Sequence, residues 1–197
     1  MTRLIQYASL HAQPWKNGGG STTELIVSPP GATFDNFEWR ISIATIAQSG
    51  PFSQFPGIDR TLTLIDGPGV VLDVGNERRV ALSEREPVVA FPGETAVMAT
   101  VDGGATTDFN VMTRRDCCEH QLERRVVRDF STLERRSEVT VLFLAEGESL
   151  TVHSGSERIA MVRYDALVLD KEETWTLEAG LATVFIVDIM ATEKEEA

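Results

Sequence analysis

Apolar and polar residues alternate with a period of two along much of this chain. In Phe37-Glu38-Trp39-Arg40-Ile41-Ser42-Ile43-Ala44 one face of an extended strand carries Phe37, Trp39, Ile41 and Ile43. The other carries Glu38, Arg40, Ser42 and Ala44. Residues 22–27 read as a strand that ends at the turn Pro29-Pro30-Gly31. Residues 61–65 and 70–74 read as two more strands, joined by Asp66-Gly67-Pro68-Gly69, whose composition is that of a turn. Shorter runs follow at 87–91, 95–101 and 108–112, and no long segment carries a helical stripe. Many short strands at short spacing predict an all-β sandwich or barrel.

The pattern is duplicated. Thr61-Leu62-Thr63-Leu64-Ile65-Asp66-Gly67 resembles Thr140-Val141-Leu142-Phe143-Leu144-Ala145-Glu146-Gly147. From there Gly75 matches Gly155, and Asn76-Glu77-Arg78 matches Ser156-Glu157-Arg158. Val88-Val89 then matches Val168-Leu169, and Asn110-Val111-Met112 resembles Asp188-Ile189-Met190. A duplicated unit this short predicts two small barrels that share an interface, not two large independent domains.

Charge narrows the function. The formal net charge of −12 removes any general attraction to phosphate backbones, so no nucleic-acid partner is expected. Arginines nevertheless cluster at 114–115 and 124–128, so local cationic sites for small anions remain open. The tail Glu193-Lys194-Glu195-Glu196 reads as a solvated terminus. Cys117 and Cys118 are adjacent, a spacing that strains a disulfide ring and builds no secreted framework. The opening residues lack the apolar core of a signal peptide, and no apolar run is long enough to span a bilayer. These features predict a cytoplasmic protein with no membrane partner.

Four segments could carry chemistry. Pro14-Trp15-Lys16-Asn17-Gly18-Gly19-Gly20 combines a cation, an amide side chain and glycines that let backbone amides approach an anion. Arg40 and Ser42 share a strand face; were that face a barrel interior, Arg40 would be a buried cation in need of an anionic partner, with a planar fork suited to a carboxylate. The stiff loop from Gly50 to Ile58 holds Phe52 and Phe55 just before Asp59 and Arg60. In Asp108-Phe109-Asn110-Val111-Met112-Thr113-Arg114, Asp108, Asn110, Met112 and Arg114 face one way, a natural cavity lining. No nucleophile elbow and no dinucleotide fingerprint is present.

At these segments the sequence resembles the HutD/Ves family. The resemblance rests on Pro14–Gly20 with Glu24, on Trp39-Arg40-Ile41-Ser42-Ile43-Ala44, on Gly50-Pro51-Phe52-Ser53 with Phe55-Pro56-Gly57-Ile58-Asp59-Arg60, and on Asp108–Arg114. It implies a bicupin: two cupin-like antiparallel β-barrels of the jelly-roll type packed together. Residues 1–120 would form the N-terminal barrel and 121–197 the C-terminal one, with strands open to exchange between the halves. Cupin metal sites use two histidines one residue apart, then a glutamate, then another histidine. Here His11, His120 and His153 are scattered, so neither a metal nor another cofactor is expected.

The resemblance further implies an accessory role in the regulation of bacterial histidine utilisation, with N-formylglutamate as the ligand to which it points and a homodimer as the assembly. The resulting expectation is a non-catalytic small-carboxylate-binding protein. Arg40 would clamp the carboxylate, with Lys16 or Arg60 as second cation. Asn17, Ser42 and Asn110 would orient it, Trp15, Trp39 and Phe55 would wall it, and Asp108 would pair with an arginine. Two other readings stay open. One is a metal-independent cupin enzyme, an isomerase or hydrolase of a small acidic metabolite, with Asp59, Asp108 or Glu24 as base. The other is a protein-interaction module.

Overall fold

The computed structural model describes residues 2–76, 78–135, 137–169 and 174–192. Glu77 of the duplicated motif and the tail Glu193-Lys194-Glu195-Glu196 lie outside the described residues. The described chain is all-β, as its alternation predicts, with one short 3-10 turn at Tyr7–Ser9. It divides into two compact units. One comprises Leu10–Glu119 with Thr192; the other comprises the chain up to Ser9 with His120–Ala191.

The opening strand β1 (Arg3–Ile5) belongs to the second of these units. The first is built by β2 (Gln13–Pro14), β3 (Gly20–Ser28), β4 (Trp39–Ile46), β5 (Gly50–Pro51), β6 (Ile58–Asp66), β7 (Val70–Val74), β8 (Arg78–Leu82), β9 (Val88–Pro92), β10 (Val97–Val101) and β11 (Thr106–Arg114). A six-stranded sheet runs β2-β3-β4-β11-β6-β9, and a four-stranded sheet runs β5-β10-β7-β8. An apolar core lies between them. Ile46, Leu62, Leu64, Val89 and Phe91 of the larger sheet meet residues such as Val70, Leu72, Leu82 and Val97 of the smaller one. Period-two alternation therefore assigns the even-numbered residues of β4, β6 and β11 to the interior of this unit.

The remaining strands are β12 (Cys118–Glu134), β13 (Val139–Glu146), β14 (Ser149–Ser154), β15 (Glu157–Val162), β16 (Ala166–Leu169) and β17 (Thr174–Ala191). They form one sheet in the order β1-β16-β13-β17-β14-β15, with β12 also paired to β17. The sheet curls to a nearly closed barrel. Its interior is apolar: Leu142, Leu144, Leu167, Trp175, Val184 and Ile186 sit in one buried cluster.

The duplication is visible in the backbone. β6 and β11 slip register between Thr107 and Asp108, and β13 and β17 slip between Leu144 and Glu146. Gly67 and Gly147 follow these bulges, both at positive φ, 93° and 114°. A Cβ on Gly67 would lie 2.5 Å from the Ala105 carbonyl oxygen, and one on Gly147 2.8 Å from that of Leu181. Matching the bulges gives the true correspondence. Asn110 pairs with Leu62 as Ile186 pairs with Leu142, so Asn110 corresponds to Ile186, not to Asp188. By the same register Val88 corresponds to Ala166, not to Val168. Both sequence matches were two residues out, because neighbouring residues on one strand face are alike in apolarity while only the bulge fixes register.

Candidate functional site

Polar residues interrupt the apolar interior of the first unit in three cross-strand rows. Met112 of β11 pairs with Arg40 of β4 and with Arg60 of β6. Two residues along β11, Asn110 pairs with Ser42 and Leu62, and two further on Asp108 pairs with Ala44 and Leu64. Directly paired residues share a sheet face, so Arg40, Ser42, Arg60, Asp108 and Asn110 all face the interior. Arg40 and Arg60 flank Met112 from strands about 10 Å apart.

The two arginines are held differently. Arg40 donates from Nε to Glu24 Oε2 at 2.8 Å and from Nη1 to Ser42 Oγ at 3.3 Å. Its guanidinium also lies 4.9 Å from the Phe34 ring centroid. Glu24, on β3, is largely exposed, so this pair sits at the edge of the interior. Arg60 is 8% exposed. It is caged by the rings of Phe52, Phe55 and Phe91 at 5.5, 5.5 and 5.1 Å. Its polar contact is one long bond from Nη1 to the Ser53 carbonyl, 3.4 Å, and its Nε has no partner. Burial and the nearby charge of Arg40 push its pKa down to about 10, which leaves it charged at neutral pH. Aromatic faces stabilise a cation, but they do not supply the acceptors that a guanidinium loses on leaving water. The site thus holds positive charge that the protein only partly compensates.

Asp108 does not pair with an arginine. It lies two rows from Arg40 and Arg60, about 13 Å along the strand. It is fully buried between Ala44 and Leu64, and neither carboxyl oxygen has a hydrogen-bond partner. Burial raises its pKa to about 7. Asn110 Oδ1 is likewise buried without a partner. The counter-charge of Arg40 is Glu24 instead, which the bulge between Glu24 and Ile26 sets beside β4.

The glycine-rich segment lies at the other end of the sheet. Gly20 pairs with Ile46, six residues along β4 from Arg40 or about 20 Å. Trp15 packs on the interior core and donates from Nε1 to Thr22 Oγ1 at 2.7 Å, so it closes the interior at the end where Asp108 lies. Gly20 makes room for it, since a Cβ there would lie 3.0 Å from the Trp15 ring and 2.2 Å from the Thr45 carbonyl oxygen. Lys16 and Asn17 are exposed on the turn, and Asn17 Oδ1 accepts from its own Gly19 N at 3.0 Å. Neither reaches the arginines. Trp39 alternates away from Arg40 and faces out of this interior, so it walls nothing there.

The structure therefore gathers Arg40, Ser42, Phe55, Arg60, Asp108 and Asn110, places Trp15 at the far end, and leaves out Lys16, Asn17 and Trp39. It keeps Met112 on the cavity face that alternation predicts, makes Glu24 an ion partner, and adds the rings of Phe34, Phe52 and Phe91 as lining. Phe34 was the hardest to foresee: it comes from the β3–β4 loop and meets Phe55 at 5.5 Å between centroids. Asp59, a candidate base, is instead bound at 2.7 Å by Arg115. Among the described residues no cluster of His, Cys, Asp or Glu could hold a metal ion. Cys117 and Cys118 approach to 3.9 Å between sulfurs, and burial pushes the Cys118 thiol up to about 12. No helix among the described residues is long and apolar enough to cross a membrane.

The HutD family model matches residues 7–186. Protein Ves of Citrobacter koseri is 34% identical over 185 residues, which is 87% of this chain and 95% of that protein. Among solved structures, a conserved protein of unknown function from Pseudomonas aeruginosa PAO1 has a TM-score of 0.89 at 28% identity, over 96% of this chain and 99% of that one. HutD from Pseudomonas fluorescens SBW25 has a TM-score of 0.83 at 26% identity, over 98% and 100%. Salicylate 1,2-dioxygenase from Pseudoaminobacter salicylatoxidans, at 10% identity and a TM-score of 0.65 over 98% and 86%, shares the cupin-like fold alone.

Proposed function

We propose, for a chain that belongs to the HutD family, a non-catalytic role in which the interior of the first unit binds a small carboxylate between Arg40 and Arg60. One observation carries this reading. Arg60 is a buried cation with a single long hydrogen bond, and the neighbouring Arg40 repels it. An anion seated between them relieves both defects, and the guanidinium fork suits a carboxylate. Phe34 and Phe55 would wall the entrance. The family name ties the chain to histidine utilisation. N-formylglutamate is the carboxylate we assign, and restraint of that pathway by sensing it is the role. The two units would be paired cupin-like barrels dividing near residue 120, in a cytoplasmic homodimer.

Tryptophan-fluorescence and thermal-shift titration against N-formylglutamate, urocanate, glutamate and histidine tests this. Saturable binding of one acid is expected, lost in Arg40→Ala and Arg60→Met, with the ligand recovered unchanged by NMR. No response to any of these acids would overturn the reading. A second reading draws on Asp108, since a buried, unpartnered carboxyl with a pKa of about 7 is poised as a general base. Turnover that Asp108→Asn abolishes would establish an enzyme in place of a sensor.

A further inference from the structure

Two rings roof the gap between the arginines. Phe34 lies over the Arg40 guanidinium at 4.9 Å, and Phe55 lies over that of Arg60 at 5.5 Å. The rings meet at 5.5 Å between centroids, tilted by 34°. They are held differently. Phe55 packs on the cluster of Phe37, Ile58 and Met112, and its backbone N donates to the Gly93 carbonyl at 2.8 Å. Phe34 is 57% exposed. The main chain on either side of Phe34 is nevertheless pinned. Glu38 N donates to the Ser28 carbonyl at 2.7 Å across the neck of the β3–β4 loop, and Thr33 N donates to Asn36 Oδ1 at 2.7 Å within it. Phe37 is fully buried. Arg114 donates from Nε to the Phe37 carbonyl at 2.8 Å and from Nη2 to the Asp35 carbonyl at 3.1 Å. Movement at this point therefore falls to the Phe34 side chain and not to the loop.

An exposed ring held by one cation–π contact and one ring pair gains little from either. Rotations of exposed side chains take picoseconds to nanoseconds. We propose that the Phe34 ring is the gate of the arginine site: it turns off Arg40 and Phe55 to admit an acid and returns over it once bound. This rests on the arginine site proposed above. Closed, the ring keeps water from the ion pairs beneath, which are stronger in a dry site. A gate that opens quickly scales association by the fraction of time it is open, and it slows escape of the bound acid in the same way. A ring that only walls a bound acid would slow escape and leave association alone. The two roles thus differ in their kinetics.

Stopped-flow tryptophan fluorescence of the full chain with N-formylglutamate measures both rates. In Phe34→Ala both should rise together by about tenfold, as for a gate open about a tenth of the time, with Kd nearly unchanged. Phe34→Tyr keeps a ring and should keep the wild-type rates. A rise in dissociation alone, or no change in either rate, would overturn the gate and leave the arginine reading standing. If wild type does not bind the acid, the arginine reading falls and the gate with it. A second measurement needs no ligand. Phenylglyoxal labels accessible arginines, which mass spectrometry maps residue by residue. Arg40 should be labelled several times faster in Phe34→Ala than in wild type. Arg79, whose side chain is 71% exposed, should be labelled alike in both and serves as the control for folding. Equal labelling of Arg40 in the two proteins would show that the ring does not guard it, and would overturn the proposal.

Discussion

At the scale of single residues, the site spends stability on polarity. Asp108 has its pKa raised from 3.8 to about 7 by burial. A carboxyl whose folded pKa is raised binds its proton more tightly in the folded state. Its contribution is complete below the unfolded pKa and is lost as pH climbs through the folded one. Wild type should therefore lose stability relative to Asp108→Asn between about pH 4 and pH 7, by an amount of the order of a few kcal/mol, and the difference should level off above that window. Urea midpoints of both proteins from pH 4 to pH 8 check this. A constant difference would mean that Asp108 does not titrate in this range. Arg60 makes a similar case. Replacing an uncompensated buried cation by an apolar chain of like length, Arg60→Met, should leave the melting temperature unchanged or raise it while abolishing carboxylate binding. A large fall in melting temperature would instead make Arg60 a structural residue. Arg40 with Ser42, and Asp108 with Asn110, were legible in the sequence because alternation sorts each pair onto one strand face; that Arg60 shares their face follows only from the pairing of β6 and β4 with β11. Phe34 was not, since loop positions follow no period. Lys16 and Asn17 were misplaced, because a glycine-rich run looks the same whether its amides bind an anion or, as here, clear space for the Trp15 ring.

At the scale of elements, the short strands of the first unit were readable and the long ones of the second were not. β4 alternates cleanly and is buried through most of its length. β12 runs from Cys118 to Glu134 with a mostly exposed pattern and an arginine-rich sequence, so it offered no apolar stripe to read. The register of the duplication was equally hidden, because it is fixed by bulges and not by residue identity. The glycines behind those bulges are therefore the element-scale test. Gly67→Ala and Gly147→Ala each place a Cβ at positive φ and within 2.8 Å of a carbonyl oxygen. Each should destabilise the protein by roughly 1–3 kcal/mol, measured by urea unfolding. Gly31→Ala should cost less, since its φ is also positive but nothing lies within 4 Å of the added carbon. Equal losses at all three positions would show that backbone conformation, and not the approach of the neighbouring strand, sets the cost.

At the scale of the whole molecule, two units of related register have been given opposite interiors. In the first, Asp108 and Asn110 face Leu64 and Leu62; in the second, Val184 and Ile186 face Leu144 and Leu142. Arg60 has Thr140 as its counterpart, and Thr140 is fully engaged, donating to Asp188 Oδ1 at 2.6 Å. At the registers of Arg60, Asp108 and Asn110 the second unit thus has neither an unmet cation nor an unmet acceptor, and its apolar cluster surrounds the fully buried Trp175, whose Nε1 has no hydrogen-bond partner. Calorimetry should accordingly give one carboxylate per chain, and Arg40→Ala should remove all of the binding heat, not half of it. The reciprocal substitution sharpens the point. Val184→Asp puts a carboxyl at the register of Asp108 with Thr140, in place of Arg60, two rows away, so it should destabilise the protein by several kcal/mol and add no binding. Two carboxylates per chain, or residual binding in Arg40→Ala with unchanged affinity, would place a second site in the unit that the packing assigns to structure alone.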